Sequence, residues 1–294
     1  ICPDWHGEDL RNKKVLLWFE QAYGDQLVFL CSIHLIVERA SALTLVVDPR
    51  IASLFISNFP NIEVIALGPA GKISKQELIE KQFDYQAYLG YVWALRWKSL
   101  TAKESCFPVR IPERLVSEFA QITENISGFR VGISWFTGKS RKRNAKALVD
   151  QNRYSLSVSD LEILASVKPV QWFNLQYGDY LEEVGSINSF ANCFHSFSDY
   201  SANGDFLEYG AQILNMDLVV SMDSTAAVFA ACMGKEVWVL CPNDPSWFWM
   251  VNEQKNYCSN VSLFIKPWNL PWADFLTLEV VPRLQKRVSE LTNG

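Results

Sequence analysis

From Val15 onward, short runs of consecutive apolar residues alternate with longer segments in which apolar positions recur every three or four residues. Val15 to Glu20, Leu43 to Val47 and Ile62 to Leu67 read as strands, Asp25 to Arg39 as a helix, and Asp48-Pro49 as an N-cap followed by a helix-opening proline. The strand runs are continuously apolar, so each is expected to be covered on both faces, as in a parallel sheet flanked by helices. Gly68 to Phe107, rich in aromatic residues and weak in period, yields no assignment. Pro112 to Ile126 has the period of a helix, and Asn125-Ile-Ser-Gly128 marks a boundary.

A second series follows. Arg130 to Trp135, Val170 to Leu175, Leu218 to Met222 and Val237 to Cys241 read as strands. Ser159 to Val167, Asp205 to Leu214 and Ala226 to Met233 read as helices between them. Trp272 to Thr292 reads as a terminal helix, expected to pack back across the first domain. Two successive βα series in 294 residues suit two Rossmann-like domains, 1–127 and 128–294, facing one cleft.

Composition narrows the function classes. With 49% apolar and 20% charged residues the chain is globular, which excludes a disordered, collagenous or coiled-coil protein. A net charge of −5 repels nucleic acid and anionic membrane, so any anion site must be local. The 7 cysteines are scattered and form no Cys-x-x-Cys pair, the pattern of reduced thiols in a cytoplasmic protein. The longest apolar stretch, around Leu27 to Val37, is too short for the roughly 18 residues of a membrane span. The N-terminus lacks the pattern of a signal peptide and does not open on Met, as expected of a fragment.

Three segments hold candidate chemistry. In Asp217 to Leu240 a strand ends at Met222, Asp223-Ser224-Thr225 make a turn, and a helix of small residues opens at Ala226. A helix N-terminus offers free amides and about half a positive charge, a ready cradle for phosphate. The plainer alternative is that Asp223 or Ser224 caps an ordinary turn. In Phe129 to Arg143, followed by Lys146 and Arg153, Gly132, Gly138, Lys139 and Ser140 nearly spell a P-loop. Five residues separate the glycines where that motif has four, and no helix follows at once. A loop of Lys139, Arg141, Lys142 and Arg143 remains, either solvated or the cationic rim of a diphosphate site. In Glu20 to Asp25, Gly24 allows a tight turn and Asp25 is either an N-cap or a general base. No Asp-x-Asp pair, histidine ligand spacing or Gly-x-Ser-x-Gly elbow occurs, so no metal site is expected.

Tyr23-Gly-Asp25 after a strand, Gly132-Ile-Ser-Trp with Arg153, Asn174-Leu-Gln176, and Asp217 to Asp223 through Trp238-Val-Leu resemble, in that order, glycosyltransferase family nine. Trp247-Phe-Trp249 ends the similarity, which covers nearly the whole chain. Its known members include the ADP-heptose:lipopolysaccharide heptosyltransferases, and the nearest resemblance is to the glycosyltransferase-like domain found behind tetratricopeptide repeats. The resemblance implies a GT-B fold and metal-independent, inverting transfer from a nucleoside-diphosphate sugar to a glycan or protein hydroxyl, without a cofactor. An upstream repeat domain outside this chain would accompany it.

It further implies that Asp25 is the base and that Tyr23, Gly24 and Gln26 line the acceptor turn. Lys139 and Arg153 would meet phosphate, Gln176 the nucleoside, and Asp223, Ser224, Thr225 and Ala226 the diphosphate. Trp247 is the aromatic candidate for sugar stacking, with Trp135 and Trp249 beside it. The chain departs from the family pattern at Val228, where histidine is usual, and at Phe248, where arginine is usual. Those departures keep a noncatalytic binding domain on the same scaffold as the alternative. A second alternative is a magnesium-dependent nucleotide hydrolase centred on Gly138-Lys139-Ser140.

Overall fold

The computed structural model describes residues 1–68, 71–96, 108–137, 154–177, 190, 192–197, 204–250 and 258–292. They form two compact units, Ile1–Pro112 with Asp205–Leu207, and Glu113–Gly204 with Glu208–Gly294.

The first unit is built on β1 (Lys14–Trp18), β2 (Ala42–Val47), β3 (Glu63–Ala66) and β4 (Tyr85–Tyr88), all parallel, in spatial order β3-β2-β1-β4. Its helices are α1 (Tyr23–Phe29), α2 (His34–Val37), α3 (Pro49–Asn58), α4 (Lys75–Glu80) and α5 (Leu89–Arg96). The continuous apolar runs have the cause inferred for them, since Val15, Leu16 and Leu17 are all fully buried. Leu16 and Val46 turn to one face and meet Leu78 of α4, so their neighbours along each strand serve the other face. Asp48 caps α3 by accepting from the Arg50 amide at 2.9 Å, and Pro49 opens the helix as expected. The helix expected over 25–39 is instead α1 and α2 joined by a 3₁₀ turn, Leu30–Ser32. The segment without a sequence assignment supplies α4, β4 and α5. Of β4 only Ala87 is buried, so an edge strand with little apolar signal had nothing to announce it.

The second unit carries β5 (Phe129–Ser134), β6 (Val170–Asn174), β7 (Phe194–His195), β8 (Leu218–Met222), β9 (Val237–Cys241) and β10 (Val261–Ile265). All run parallel in the order β10-β9-β8-β5-β6-β7, which in the unit's own numbering is the 3-2-1-4-5-6 order of a Rossmann sheet. The first sheet repeats the opening of that order. Around the second sheet lie α6 (Glu113–Thr123), α7 (Val158–Ala165), α8 (Phe206–Leu214), α9 (Thr225–Cys232), α10 (Trp272–Phe275) and α11 (Val281–Thr292). Helix α6 packs in this unit: the Asn215 side-chain amide donates to the Val116 carbonyl at 3.0 Å, and Arg130 donates to Thr123 at 3.1 Å.

Two features of this unit follow from single residues. A Cβ on Gly132 would stand 2.3 Å from Leu175 Cδ1 and 2.9 Å from Met216 Cγ. Gly132 is therefore required by packing on β5 rather than by a phosphate turn. Between α10 and α11 the helix widens into a π turn, Leu276–Val280. Pro282 lacks an N–H and would clash with the carbonyl four residues back, and the wider turn accommodates it. Trp272, Phe275, Leu276, Val280, Leu284 and Val288 from this terminal helix all lie in the second unit's core, against Trp238 and Phe264 among others. Burial of such a side chain stabilises by about 1.5–3 kcal/mol.

No helix among the described residues is long and apolar enough to cross a membrane. Cys2, Cys31, Cys193, Cys232, Cys241 and Cys258 carry free thiols.

Candidate functional site

Open parallel sheets bind ligands beyond the C-terminal ends of their strands, at the point where the strand order reverses. In the second unit that point lies between β5 and β8, and in the first between β1 and β4.

The turn after β8 runs through Asp223 and Ser224 into α9. Asp223 is 6% exposed, and both carboxylate oxygens are engaged: Oδ2 accepts the Ser246 amide at 2.6 Å and Oδ1 the Trp249 indole N–H at 2.7 Å. It therefore caps a different turn, the 3₁₀ segment Trp247–Met250, and not its own helix. Ser224 is the N-cap of α9 in extended conformation, but its side chain makes no capping bond and instead meets the Ser221 hydroxyl at 2.9 Å. The first-turn amides of Thr225 and Ala226 have no acceptor within the helix and no side-chain cap. Helices α3 and α7 are capped by side chains, α7 by a full capping box on Ser157, whereas α1, with Ala22 as N-cap, shares the uncapped start of α9.

The turn after β5 is stitched to β6. Gln176, 4% exposed, accepts from the Trp135 and Phe136 amides at 3.0 and 2.8 Å and from the Ser134 hydroxyl at 3.2 Å. Its own amide is held by Asn174 Oδ1 at 2.9 Å, and its Nε2 donates to the Tyr177 carbonyl. The side-chain oxygen of Gln176 thus fixes the strand end. Lys139, Arg141, Lys142, Arg143, Lys146 and Arg153 lie outside the described residues, as do Gly138 and Ser140 of the near P-loop. Of the candidate aromatic platforms, Trp135 and Trp249 are 3% and 1% exposed and belong to the core, whereas Trp247 is 44% exposed.

In the first unit, β1 leads through Glu20 and Gln21 into α1. Gln21 adopts φ 66°, a left-handed conformation uncommon outside glycine, and this sharp turn sets the start of the helix. The helix begins at Tyr23 with Ala22 as N-cap, so Asp25 is not the cap but a half-buried residue of the first turn. Gly24 beside it is buried. Gln26 is 5% exposed, its Nε2 donates to the Gln21 carbonyl at 3.2 Å, and its Oε1 has no hydrogen-bond partner among the described residues. The Tyr23 ring lies 5.1 Å from the Arg50 guanidinium and 5.0 Å from the Phe206 ring. Burial, followed by a hydrogen bond to Asp48, raises the pKa of the Tyr23 hydroxyl.

Glu20 at the same strand end was not singled out by motif. A Cβ on Gly90 would stand 2.7 Å from Glu20 Oε1, so the absence of a side chain in the first turn of α5, just after β4, makes room for this carboxyl. Burial raises its pKa, with no charged partner among the described residues. Only the sheet order, which sets β1 beside β4, brings Glu20 and Gly90 together. Among the described residues, no cluster of three or more His, Cys, Asp or Glu is placed to hold a metal ion.

No protein-family model matches the sequence. Protein FlbA of Caulobacter vibrioides is 28% identical over 277 residues, covering 89% of this chain and 44% of that protein, so the chain spans less than half of its relative's length. The E. coli ADP-heptose lipopolysaccharide heptosyltransferase II is similar in structure, with a TM-score of 0.63 and 12% identity over 95% of this chain and 98% of that one. A glycosyltransferase family 9 protein from Veillonella parvula gives a TM-score of 0.62, also at 12% identity, over 96% and 98% of the two chains. The fold is that of glycosyltransferase family 9.

This agrees with the GT-B fold class that the ordered motifs imply. Within the family 9 fold, the two departures from the family's sequence pattern are filled by core side chains: Val228 is 1% exposed and Phe248 5% exposed. Phe248 packs edge-on against Trp247 and tilted against Trp249, at ring separations of 5.4 and 4.9 Å.

Proposed function

We propose that this chain is a glycosyltransferase whose second unit holds a nucleoside-diphosphate sugar and whose first unit activates an acceptor hydroxyl of a glycan or protein. The observation that carries the proposal is the uncapped start of α9, opening at the reversal point of a Rossmann-ordered sheet. The amides of Thr225 and Ala226 supply donors to the departing diphosphate, whose negative charge grows as the glycosidic bond breaks. Lys139 and Arg153 add positive charge to that side. Asp25 takes the acceptor proton as the new bond forms, and a single displacement of this kind inverts the anomeric centre. Amides and basic side chains then stabilise the leaving group without a metal ion.

The deciding experiment is a thermal-shift panel of ADP-, UDP-, GDP- and CMP-sugars followed by a transfer or donor-hydrolysis assay with and without a chelator. A donor at a hundred times its dissociation constant stabilises the folded chain by about 2.7 kcal/mol. If no donor shifts the transition, the donor site is wrong. If turnover disappears with the chelator, metal independence is wrong.

The apolar burial of Val228 and Phe248 favours a second reading, a domain that binds a nucleotide-sugar or partner but transfers nothing. Donor binding without hydrolysis or transfer would select it.

A further inference from the structure

We infer that Asp223 is a positioning residue, which holds the Trp247–Met250 turn at the end of β8 so that the Trp247 ring forms the aromatic wall of the nucleotide site. The inference rests on the donor reading of the second unit. A carboxylate at the mouth of a phosphate site has an obvious alternative role, direct contact with the ligand. The geometry argues against it. Asp223 is buried, and its two oxygens are taken by the Ser246 amide at 2.6 Å and the Trp249 indole at 2.7 Å. Charge-assisted bonds of that length are the strong class, so a ligand would have to displace one to reach the carboxylate.

The consequence for Trp247 follows from the 3₁₀ turn. Successive side chains on such a turn point about 120° apart, at three residues per turn. Phe248 at 5% and Trp249 at 1% exposure take the inward directions, and Trp247 is left outward at 44%. Ser246, which donates to Asp223, is the immediate neighbour of Trp247, so the exposed ring stands within one residue of the carboxylate. An aromatic face fixed there stacks the nucleoside of a bound nucleoside diphosphate.

The test uses the whole chain with Asp223→Asn, Trp249→Phe, their combination, and Trp247→Ala. Affinity for ADP, UDP and GDP is measured by calorimetry, well below each variant's unfolding transition, so that only folded protein is compared. Exchange of the Trp249 indole proton, identified by its loss in Trp249→Phe, is followed by NMR. Asp223→Asn and Trp249→Phe should each weaken the preferred nucleotide by about tenfold, and the double variant should be no worse than the poorer single one. Trp247→Ala should lose at least as much. A purely structural Asp223 would lower the unfolding temperature and leave folded-state affinity unchanged, which overturns the inference. So does a Trp249→Phe variant that binds like wild type while Asp223→Asn binds nothing, since that marks direct contact. If wild type binds none of the three nucleotides, the donor reading fails and takes the role of Trp247 with it. The clamp itself is then judged by exchange: faster in Asp223→Asn supports it, and unchanged overturns it.

Discussion

At the reversal point of the first sheet, the turn after β1 carries side-chain oxygens: the carboxyls of Glu20 and Asp25 and the Oε1 of Gln26, which has no hydrogen-bond partner among the described residues. At the same point of the second sheet, the turn after β8 presents backbone N–H groups, because Ser224 does not cap α9 and Asp223 is fully engaged elsewhere. Helix α1 also starts without a side-chain cap, so the two endings differ in the side-chain oxygens that the first turn adds. A turn of acceptors suits a group that must lose a proton, and a turn of donors suits a group that carries negative charge. The difference resides in which polar atoms the surrounding protein has already satisfied, and residue type alone does not decide it. Asp223 is an aspartate at a strand-end turn, as Asp25 is, and its type alone does not show that the Ser246 amide and the Trp249 indole take both of its oxygens.

The largest test of that contrast is Asp25→Asn. An amide cannot accept the acceptor proton, and turnover should fall by roughly two to four orders of magnitude, with nucleoside-diphosphate affinity unchanged by calorimetry. Turnover at the wild-type level would remove Asp25 from the chemistry. The complementary change on the donor side is Thr225→Pro. Proline is well tolerated at the first helical position, and Ser224 before it already has the extended conformation that a following proline requires, φ −145° and ψ 173°. The substitution deletes one amide donor and leaves the helix intact. Affinity for the nucleoside diphosphate should fall about ten- to a hundredfold, and that for the nucleoside little. Equal losses for both would place the phosphates elsewhere.

Much of the scaffold was legible because its signal is local. Strands β8 and β9 carry apolar runs, broken only by Ser221, and their ends fall where the sequence puts them. The edge strands β4, β7 and β10 were missed because each buries two residues at most, β7 none, and so lacks those runs. The site was legible only in part. Sequence points to Asp223, but its partner Trp249 lies 26 positions away and cannot be read from spacing. Gln176 likewise meets amides 40 and 41 positions earlier, a stitch between strand ends that spacing does not reveal. Glu20 gains its setting from Gly90 at the start of α5, a helix that the sequence did not reveal. Where a side chain's partners are distant in the chain, its type suggests a chemistry that the fold then assigns or withdraws.

Gly132→Ala probes the second unit's scaffold apart from its turn. Leu175 and Met216 would both have to give way to the new methyl group. Overpacking of this kind costs about 1–3 kcal/mol, readable as a lower denaturation midpoint with an unchanged slope. A variant as stable as wild type would mean that β5 shifts freely and that Gly132 answers to a phosphate turn after all.

The smallest effect separates the first turn's two carboxyls. Burial raises the pKa of Glu20, so the folded chain holds the proton more tightly than the unfolded chain does. Between the ordinary glutamate value of about 4.3 and the raised one, the unfolded state binds fewer protons, and stability falls as pH rises. Glu20→Gln removes the ionisation and keeps the shape over Gly90. The variant should unfold at a higher temperature than wild type at neutral pH, and the gain should shrink to nothing as pH drops below about 4.3. A gain independent of pH would mean that packing, not charge, is at issue. A loss at neutral pH would mean that the Glu20 carboxylate is held by a donor.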